Sequence, residues 1–381
     1  MIRRRARALV PGLLLLASCL LVDCRASAPA APPAPPSPAA SAPAASGATT
    51  VPVAAGRTAS SLGPLTPPVD VRIGLQSSIS DAGVYVAIAK GYFRELGLNA
   101  TAETFAGGAA DYVQFIATNQ LQVGGPSSVP ALYNAADRGA TLHIVADKGK
   151  LRTGFGFVRL SVRKELHDNG AVTGLPELKG RTIAVAAPYG AAHSLGALAL
   201  RRIGFADDDA SFLPLPNPDH IAALANGSID AAVSVEPIPT LAVQQGAAVV
   251  LADGDALRPD AQVGLLAMSD EFFRNREAAL RFMVAYLRGV RDYNDAFVKG
   301  IDKAQVVGIL VENTAVKDPV AYEQTKLAGL DPAGSLNVAT LREDFDWLKS
   351  IGQLAPGLQF PEPMFDQTLV REAGQILGPY Q

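Results

Sequence analysis

Apolar and polar positions along the globular part of the chain follow one pattern written twice. Short apolar runs of strand length alternate with longer segments of helical period, and Gly or Asn closes the helices. The first copy predicts strand Val71 to Leu75, helix Val84 to Leu96, Gly97, strand Asn99 to Thr104, helix Ala109 to Thr118, Asn119 and strand Leu121 to Gly125. The second predicts strand Thr182 to Ala186, helix Ala192 to Ile203, Gly204, strand Phe212 to Pro214, helix His220 to Asn226, Gly227 and strand Ile229 to Val233. The offsets agree: Gly97 to Gly204 is 107 residues, Asn119 to Gly227 is 108, and Gly139 before the fourth strand to Gly246 is again 107. Two βαβαβ halves, each with a parallel sheet, are expected, which makes this an α/β protein.

In open α/β sheets ligands bind outside the carboxyl ends of the strands, where loops and helix N-termini expose backbone N–H groups. Two such sheets facing each other make a cleft. The polar residues fall at those ends: Gln76, Ser77 and Ser78 after the first strand, Ser127 and Ser128 after the third, Tyr189, Gly190, Ala191 and His193 after the first strand of the second copy, and Glu236 after its third. Gly107 and Gly108 precede a helix whose free N–H groups would face the same cleft, or form only a tight turn. Ser128 and Glu236 are equivalent, each nine residues past Asn119 or Gly227.

The N-terminus differs in kind. Arg3, Arg4, Arg5 and Arg7 precede an apolar run, Ala8 to Leu16, that is too short to span a bilayer and fits a secretory signal. Leu16-Ala17-Ser18-Cys19 resembles the bacterial lipobox, in which the cysteine is lipidated and becomes the new N-terminus; ordinary cleavage after Ala28 is the alternative. Residues 1–18 would then be the signal, and 19–68, rich in Ala and Pro, a flexible tether that cannot bury enough apolar surface to fold. Export to the outer face of the cell membrane, with a lipid anchor there, is the expected location. Both cysteines, Cys19 and Cys24, lie outside the globular part, which excludes a disulfide, a cysteine nucleophile and a thiolate metal site from it. Losing the four signal arginines takes the formal charge from −3 to −7, which leaves no basic patch for nucleic acid.

The phrases Ala89-Lys90-Gly91-Tyr92-Phe93-Arg94-Glu95-Leu96-Gly97-Leu98, Gly107-Gly108 with Thr118-Asn119-Gln120-Leu121-Gln122-Val123-Gly124, Leu178-Lys179-Gly180-Arg181-Thr182-Ile183-Ala184-Val185, and Ala223-Leu224-Ala225-Asn226-Gly227-Ser228-Ile229-Asp230-Ala231-Ala232 with Glu236-Pro237 resemble the substrate-binding proteins of ABC importers for sulfonates, nitrate and thiamine pyrimidine precursors. The resemblance covers about residues 69–381. It implies the two-lobed type II periplasmic-binding-protein fold, each lobe a mostly parallel sheet flanked by helices, with two hinge strands crossing between the lobes. The candidate crossings are Phe157 to Val162 and Val263 to Met268, so lobe I would comprise residues 69–159 plus 266–381 and lobe II residues 160–265. Helices Arg274 to Tyr293 and Leu341 to Leu354 would return to lobe I. The implied partners are a small-molecule ligand and an ABC permease with its ATPase, approached by a monomer that closes on ligand by hinge bending.

Each candidate also has a plain structural reading. Gly91 and Gly97 read as a turn and a helix C-cap; the serines are also ordinary N-caps; Tyr85 and Phe105 fit the core better than the cleft; Trp347 with Leu341, Phe345 and Leu348 reads as a packed helix face. Glu236 either caps a helix starting near Pro237 or accepts from an N–H of the ligand. The four histidines, His143, His167, His193 and His220, form no ligand pair on one helix face, and no nucleophile triad or P-loop is present, so no catalysis, metal or cofactor is expected. An enzyme on the same fold and a ligand-binding sensor are the rival classes. No strand-end loop carries Arg or Lys, so Glu236, Tyr189 and His193 favour a nitrogenous heterocycle such as a thiamine pyrimidine precursor over alkanesulfonate, taurine or nitrate.

Overall fold

A computed structural model describes residues 62–104, 109–314 and 316–381, all within one compact unit. Cys19, Cys24, Phe105, Gly107, Gly108 and the signal and tether segments lie outside the described residues. Among the described residues ten strands are formed: β1 (Val69–Leu75), β2 (Leu98–Thr104), β3 (Val123–Gly124), β4 (Leu142–Lys150), β5 (Val158–Arg163), β6 (Thr182–Val185), β7 (Ser211–Pro214), β8 (Ala231–Val235), β9 (Ala248–Asp253) and β10 (Gln262–Ser269). They assemble into two five-stranded sheets of matching order, β2-β1-β3-β10-β4 and β7-β6-β8-β5-β9. Helices flank both sheets, which gives the two-lobed α/β fold.

The repeat is physical. Gly97 and Gly204, Asn119 and Gly227, and Gly139 and Gly246 all adopt positive φ, at 74 and 93, 56 and 78, and 82 and 70°. The paired positions thus turn the chain the same way in each lobe. Gly97 has a second constraint, since a Cβ there would stand 2.3 Å from the backbone N of Leu65. The expected helix Val84 to Leu96 is two helices, Ala82–Ala89 and Tyr92–Glu95, because Gly91 between them is left-handed at φ 77°.

Each sheet is mostly parallel, with one inserted antiparallel strand that the repeat alone did not predict. β10 runs antiparallel to β3 and β4, and β5 antiparallel to β8 and β9, while β1, β2 and β3 and likewise β6, β7 and β8 are parallel. The segments expected as crossings are these two inserted strands. Each is integral to one sheet, and residues 151–157 and 254–261 connect the two sheets. Direction then fixes the geometry. β4 is parallel to β1 and its C-terminus enters the first passage; β5 leaves that passage antiparallel to β8 and therefore begins at the C-terminal edge of its sheet. β9 and β10 repeat the argument for the second passage. The C-terminal edges of both sheets are thereby adjacent, and the strand-end loops gather between them.

Packing holds the first sheet. Tyr112 donates from its hydroxyl to Leu75 O at 2.6 Å, and Gly74 and Gly124 let the helix Ala109–Ala117 approach so closely that Cβ atoms there would meet Tyr112 at 2.8 Å and Ile116 at 2.7 Å. The long helix Arg276–Val298 buries Tyr286, Leu287, Val290 and Tyr293. No helix among the described residues is long and apolar enough to cross a membrane.

Candidate functional site

At the edge of the first sheet, the loop after β1 wraps a buried carboxylate. Gln76 N and Ser78 N donate to Asp81 Oδ2 at 3.1 and 2.9 Å, and Ser78 Oγ reaches the same oxygen at 3.2 Å. Lys148 Nζ, brought in by β4, donates to Asp81 Oδ1 at 2.5 Å and to Ser80 Oγ at 3.1 Å. Asp81 is wholly buried and Lys148 is 1 % exposed, so each charge is tolerable only because the other is present. Lys148 runs against Gly125, where a Cβ would stand 2.2 Å from Cε. One ion pair therefore fixes the position of the Gln76-Ser77-Ser78 loop and of the loop that carries Ser127 and Ser128. Sequence reasoning missed it; its trace was a polar pair, Asp147-Lys148, inside the apolar run of β4.

Ser77 is half-buried in a left-handed conformation, φ 55°, with Oγ 3.1 Å from Thr104 Oγ1. Gln76 is exposed and Ser127 half-buried. Ser128 is turned away to a fastening role: it is 1 % exposed and pairs with Tyr133 Oη at 2.8 Å, which also donates to Leu341 O at 3.3 Å.

At the edge of the second sheet, Gly190 is the N-cap of the helix Ala191–Arg202, and Tyr189 precedes it at φ 60°. Tyr189 N donates to His193 Nδ1 at 2.9 Å, and the two rings stack with centroids 5.5 Å apart. Phe212 and Trp347 complete the cluster, 4.3 and 5.2 Å from the imidazole. Burial pushes the His193 imidazole down to about 4, so at neutral pH it is uncharged, with Nδ1 accepting and the proton on Nε2. An unfolded imidazole titrates near 6.5. Between those values the unfolded chain binds more protons, so stability should fall as pH drops from 7 to 4, by on the order of 2 kcal/mol once solvent screening is allowed for. The expected result is that denaturant titrations of His193→Phe lack this component; an identical pH slope in both proteins would contradict it.

Glu236 closes β8 with a carboxylate that is 1 % exposed. Its Oε1 accepts from Arg159 Nη1 at 3.0 Å and Thr240 Oγ1 at 2.9 Å, and its Oε2 from Thr240 N at 3.2 Å. Burial raises its affinity for a proton and Arg159 opposes that, with a net upward shift. The cap on the helix Ile238–Gln244 is thus the reading these contacts match, with an ion pair added from β5. Arg159 also holds Asp253 at 2.7 Å, and Asp253 meets Lys326 at 3.1 Å. Glu236→Gln should therefore lower stability by about 1.5–3 kcal/mol, the range for hydrogen bonds to charged groups, with solute affinity unchanged. Unchanged melting with weakened binding would return Glu236 to the ligand.

The C-terminal part of the chain reaches the second lobe at several points, among them Gln324, which accepts from Gln244 Nε2 at 2.8 Å. Lys326 does so at Asp253, and the helix Val338–Ser350 does so along Ala191–Arg202, through Trp347 against His193 and through Arg201 to Ser350 Oγ at 3.2 Å. Arg258 in the second passage is 2 % exposed and donates to Asp344 at 2.7 Å and Glu343 at 3.1 Å. A groove of about 510 Å³ lies along that helix pair, lined by Leu198, Arg201, Arg202, Glu343, Asp346, Trp347 and Ser350, and none of the predicted site residues lines it. Among the described residues no cluster of His, Cys, Asp and Glu has the arrangement of a metal site.

A family model described as NMT1/THI5 like matches residues 79–295, more than half of the chain. The chain belongs to the NMT1/THI5 like family. The matched residues of this NMT1/THI5 like chain span both inter-lobe passages together with Asp81, Ser127, Tyr189, His193 and Glu236, and end before Lys326 and Trp347. None of the curated proteins compared with it matches. Among solved structures, the alkanesulfonate-binding protein SsuA from Xanthomonas axonopodis pv. citri bound to MOPS is similar at 20% identity, covering 80% of this chain and 98% of its own, with a TM-score of 0.58. The periplasmic nitrate-binding protein NrtA from Synechocystis PCC 6803 is similar at 14% identity, covering 81% and 89%, with a TM-score of 0.65. A ligand-binding component of an ABC-type import system from Staphylococcus aureus is similar at 15% identity, covering 80% and 99%, with a TM-score of 0.63. These likenesses establish a shared fold.

Proposed function

We propose that this protein is the solute-binding component of an ABC importer, exported, anchored through Cys19, and carrying a small organic solute between its lobes to a membrane permease. The observation that carries the reading is the adjacency of the two C-terminal sheet edges, with hydroxyl-bearing loops on one side and an aromatic turn on the other. That arrangement suits capture without chemistry, since the charged groups at the edges, Asp81 with Lys148 and Glu236 with Arg159, neutralise each other. What is left to meet a solute is Ser77, Ser127, the Tyr189 ring and the N–H group at Ala191 in the first turn of its helix. A neutral planar nitrogenous heterocycle fits this set best, now through Tyr189 and the hydroxyls and no longer through Glu236. A sulfonate or nitrate is the second reading, favoured by the N-terminus of the helix Ala191–Arg202 and by what SsuA and NrtA are named for binding.

Thermal melts with 4-amino-2-methylpyrimidine, MOPS and nitrate test the proposal. A true solute at 100 times its Kd should stabilise the protein by about 2.7 kcal/mol. A shift with the pyrimidine alone supports the first reading, a shift with an anion alone overturns it for the second, and no shift with any probe counts against solute binding. Undiminished membrane retention of Cys19→Ala would overturn the anchor.

A further inference from the structure

Beyond the C-terminal end of β4 stands a cation with no carboxylate to hold it. Arg152 is the second residue after Lys150, in the segment 151–157 that joins the first sheet to the second. It therefore lies outside a strand end, as Ser77 and Ser127 do, where open α/β sheets bind their ligands.

The cations around it are spent. Lys148 is held by Asp81, Lys150 by Asp331, Arg159 by Glu236 and Asp253, Arg258 by Glu343 and Asp344, and Lys326 by Asp253. Among the described residues Arg152 forms no ion pair, and its guanidinium makes one hydrogen bond, Nη1 donating to Leu330 O at 3.1 Å. The rest of its fork of N–H donors is left over. Outside the described residues the chain has no acid but Asp23, in the N-terminal tether, so the globular part holds no further carboxylate for it.

Phe155 orients the group. A turn in which Phe155 N donates to Arg152 O at 2.7 Å brings the ring back until Arg152 Cζ stands 5.4 Å from its centroid. An aromatic ring steadies a guanidinium without taking up its N–H donors. Arg152 and Phe155 are both half-buried, and Thr153 and Gly154 between them are exposed, so the cation is partly withdrawn from water and still reached from it. Partial withdrawal strengthens its attraction for an anion.

We infer that Arg152, steadied by Phe155, is the subsite for an oxyanion group of the solute, a sulfonate, carboxylate or nitrate whose paired oxygens match the guanidinium fork. The inference rests on the solute-binding reading and supplies the positive charge that the strand-end loops lack. With Arg152 included, a solute carrying an oxyanion is favoured, and any ring it bears is left for Tyr189.

Arg152→Gln tests it, because glutamine can still donate to Leu330 O but has no charge. Both proteins are melted and titrated with MOPS, nitrate, sulfate and 4-amino-2-methylpyrimidine, with sodium chloride at equal ionic strength as the reference. An anion that stabilises the unaltered protein should bind the variant about tenfold to a hundredfold more weakly, the loss of hydrogen bonds to a charged group, and Arg152→Lys should recover part of that loss. Equal affinity of the anion for the unaltered protein and Arg152→Gln overturns the subsite and leaves solute binding standing. A shift with the pyrimidine alone does the same. If MOPS, nitrate and the pyrimidine all fail to shift the unaltered protein, the solute-binding reading fails with this panel and sulfate still decides. Sulfate stabilises folded proteins in general, so a saturable excess in the unaltered protein over Arg152→Gln supports the oxyanion subsite, and equal responses overturn it.

Discussion

Lys148→Met is expected to destabilise the protein by about 3–5 kcal/mol, the cost of leaving a buried carboxylate without its counter-charge. Asp81 has no exposure through which water could replace the ammonium, and its remaining donors, Gln76 N, Ser78 N and Ser78 Oγ, solvate it only in part. Pairing Lys148→Met with Asp81→Leu should recover much of the loss, because two apolar side chains then replace two charges. Denaturant unfolding of both variants measures this. A single variant within 1 kcal/mol of the parent would contradict the pair's importance, as would a double variant no better than the single. Solute affinity should fall in both, since the pair also positions the loops that carry Ser77 and Ser127.

Arg258→Met is expected to cost a similar amount, about 3–5 kcal/mol, by a different route. Asp344 is 1 % exposed and Arg258 is its ion-pair partner; with the guanidinium gone, Glu343 alongside adds a second negative charge. The loss should be localised. Arg258 stands in the second passage and Asp344 in the helix Val338–Ser350, so amide exchange should accelerate in that helix and along the passage, while β1 and β2 exchange as before. Uniform acceleration throughout the protein would indicate that the pair supports the whole fold and not the junction between lobes.

Much of the fold was legible because it is written in local residues. A left-handed turn favours Gly or Asn in the chain itself, so Gly97, Asn119 and Gly139 and their counterparts announced the repeat, and the repeat announced two sheets. The insertion of β5 and β10 was not legible. Apolar runs show that a strand exists but carry no direction, and antiparallel neighbours as far apart as Val162 and Ala231 or Met268 and Val123 leave no mark in the sequence near each other. Parts of the candidate site's local geometry were legible too. Tyr189 and His193, four residues apart across a helix start, were identified together and do stack. Ser128 and Glu236 were placed correctly at strand ends, but their partners Tyr133, Arg159 and Thr240 could not be read from spacing, and those partners occupy them. Lys148 lay in a strand, outside every loop searched for cations. Tyr85 read as core, and it is buried.

The central claim is that a solute binds between the lobes and changes how they meet. Trp347, the single tryptophan of the chain, stands at that junction, 5.2 Å from His193. Its emission during a titration with whichever of the three probes stabilises the protein is the most direct test. The account predicts a saturable change at one solute per chain, with the same midpoint as the thermal shift and absent in Trp347→Phe. A probe that binds tightly while Trp347 emission stays constant would contradict it, because the solute would then occupy a site that leaves the junction between the lobes untouched.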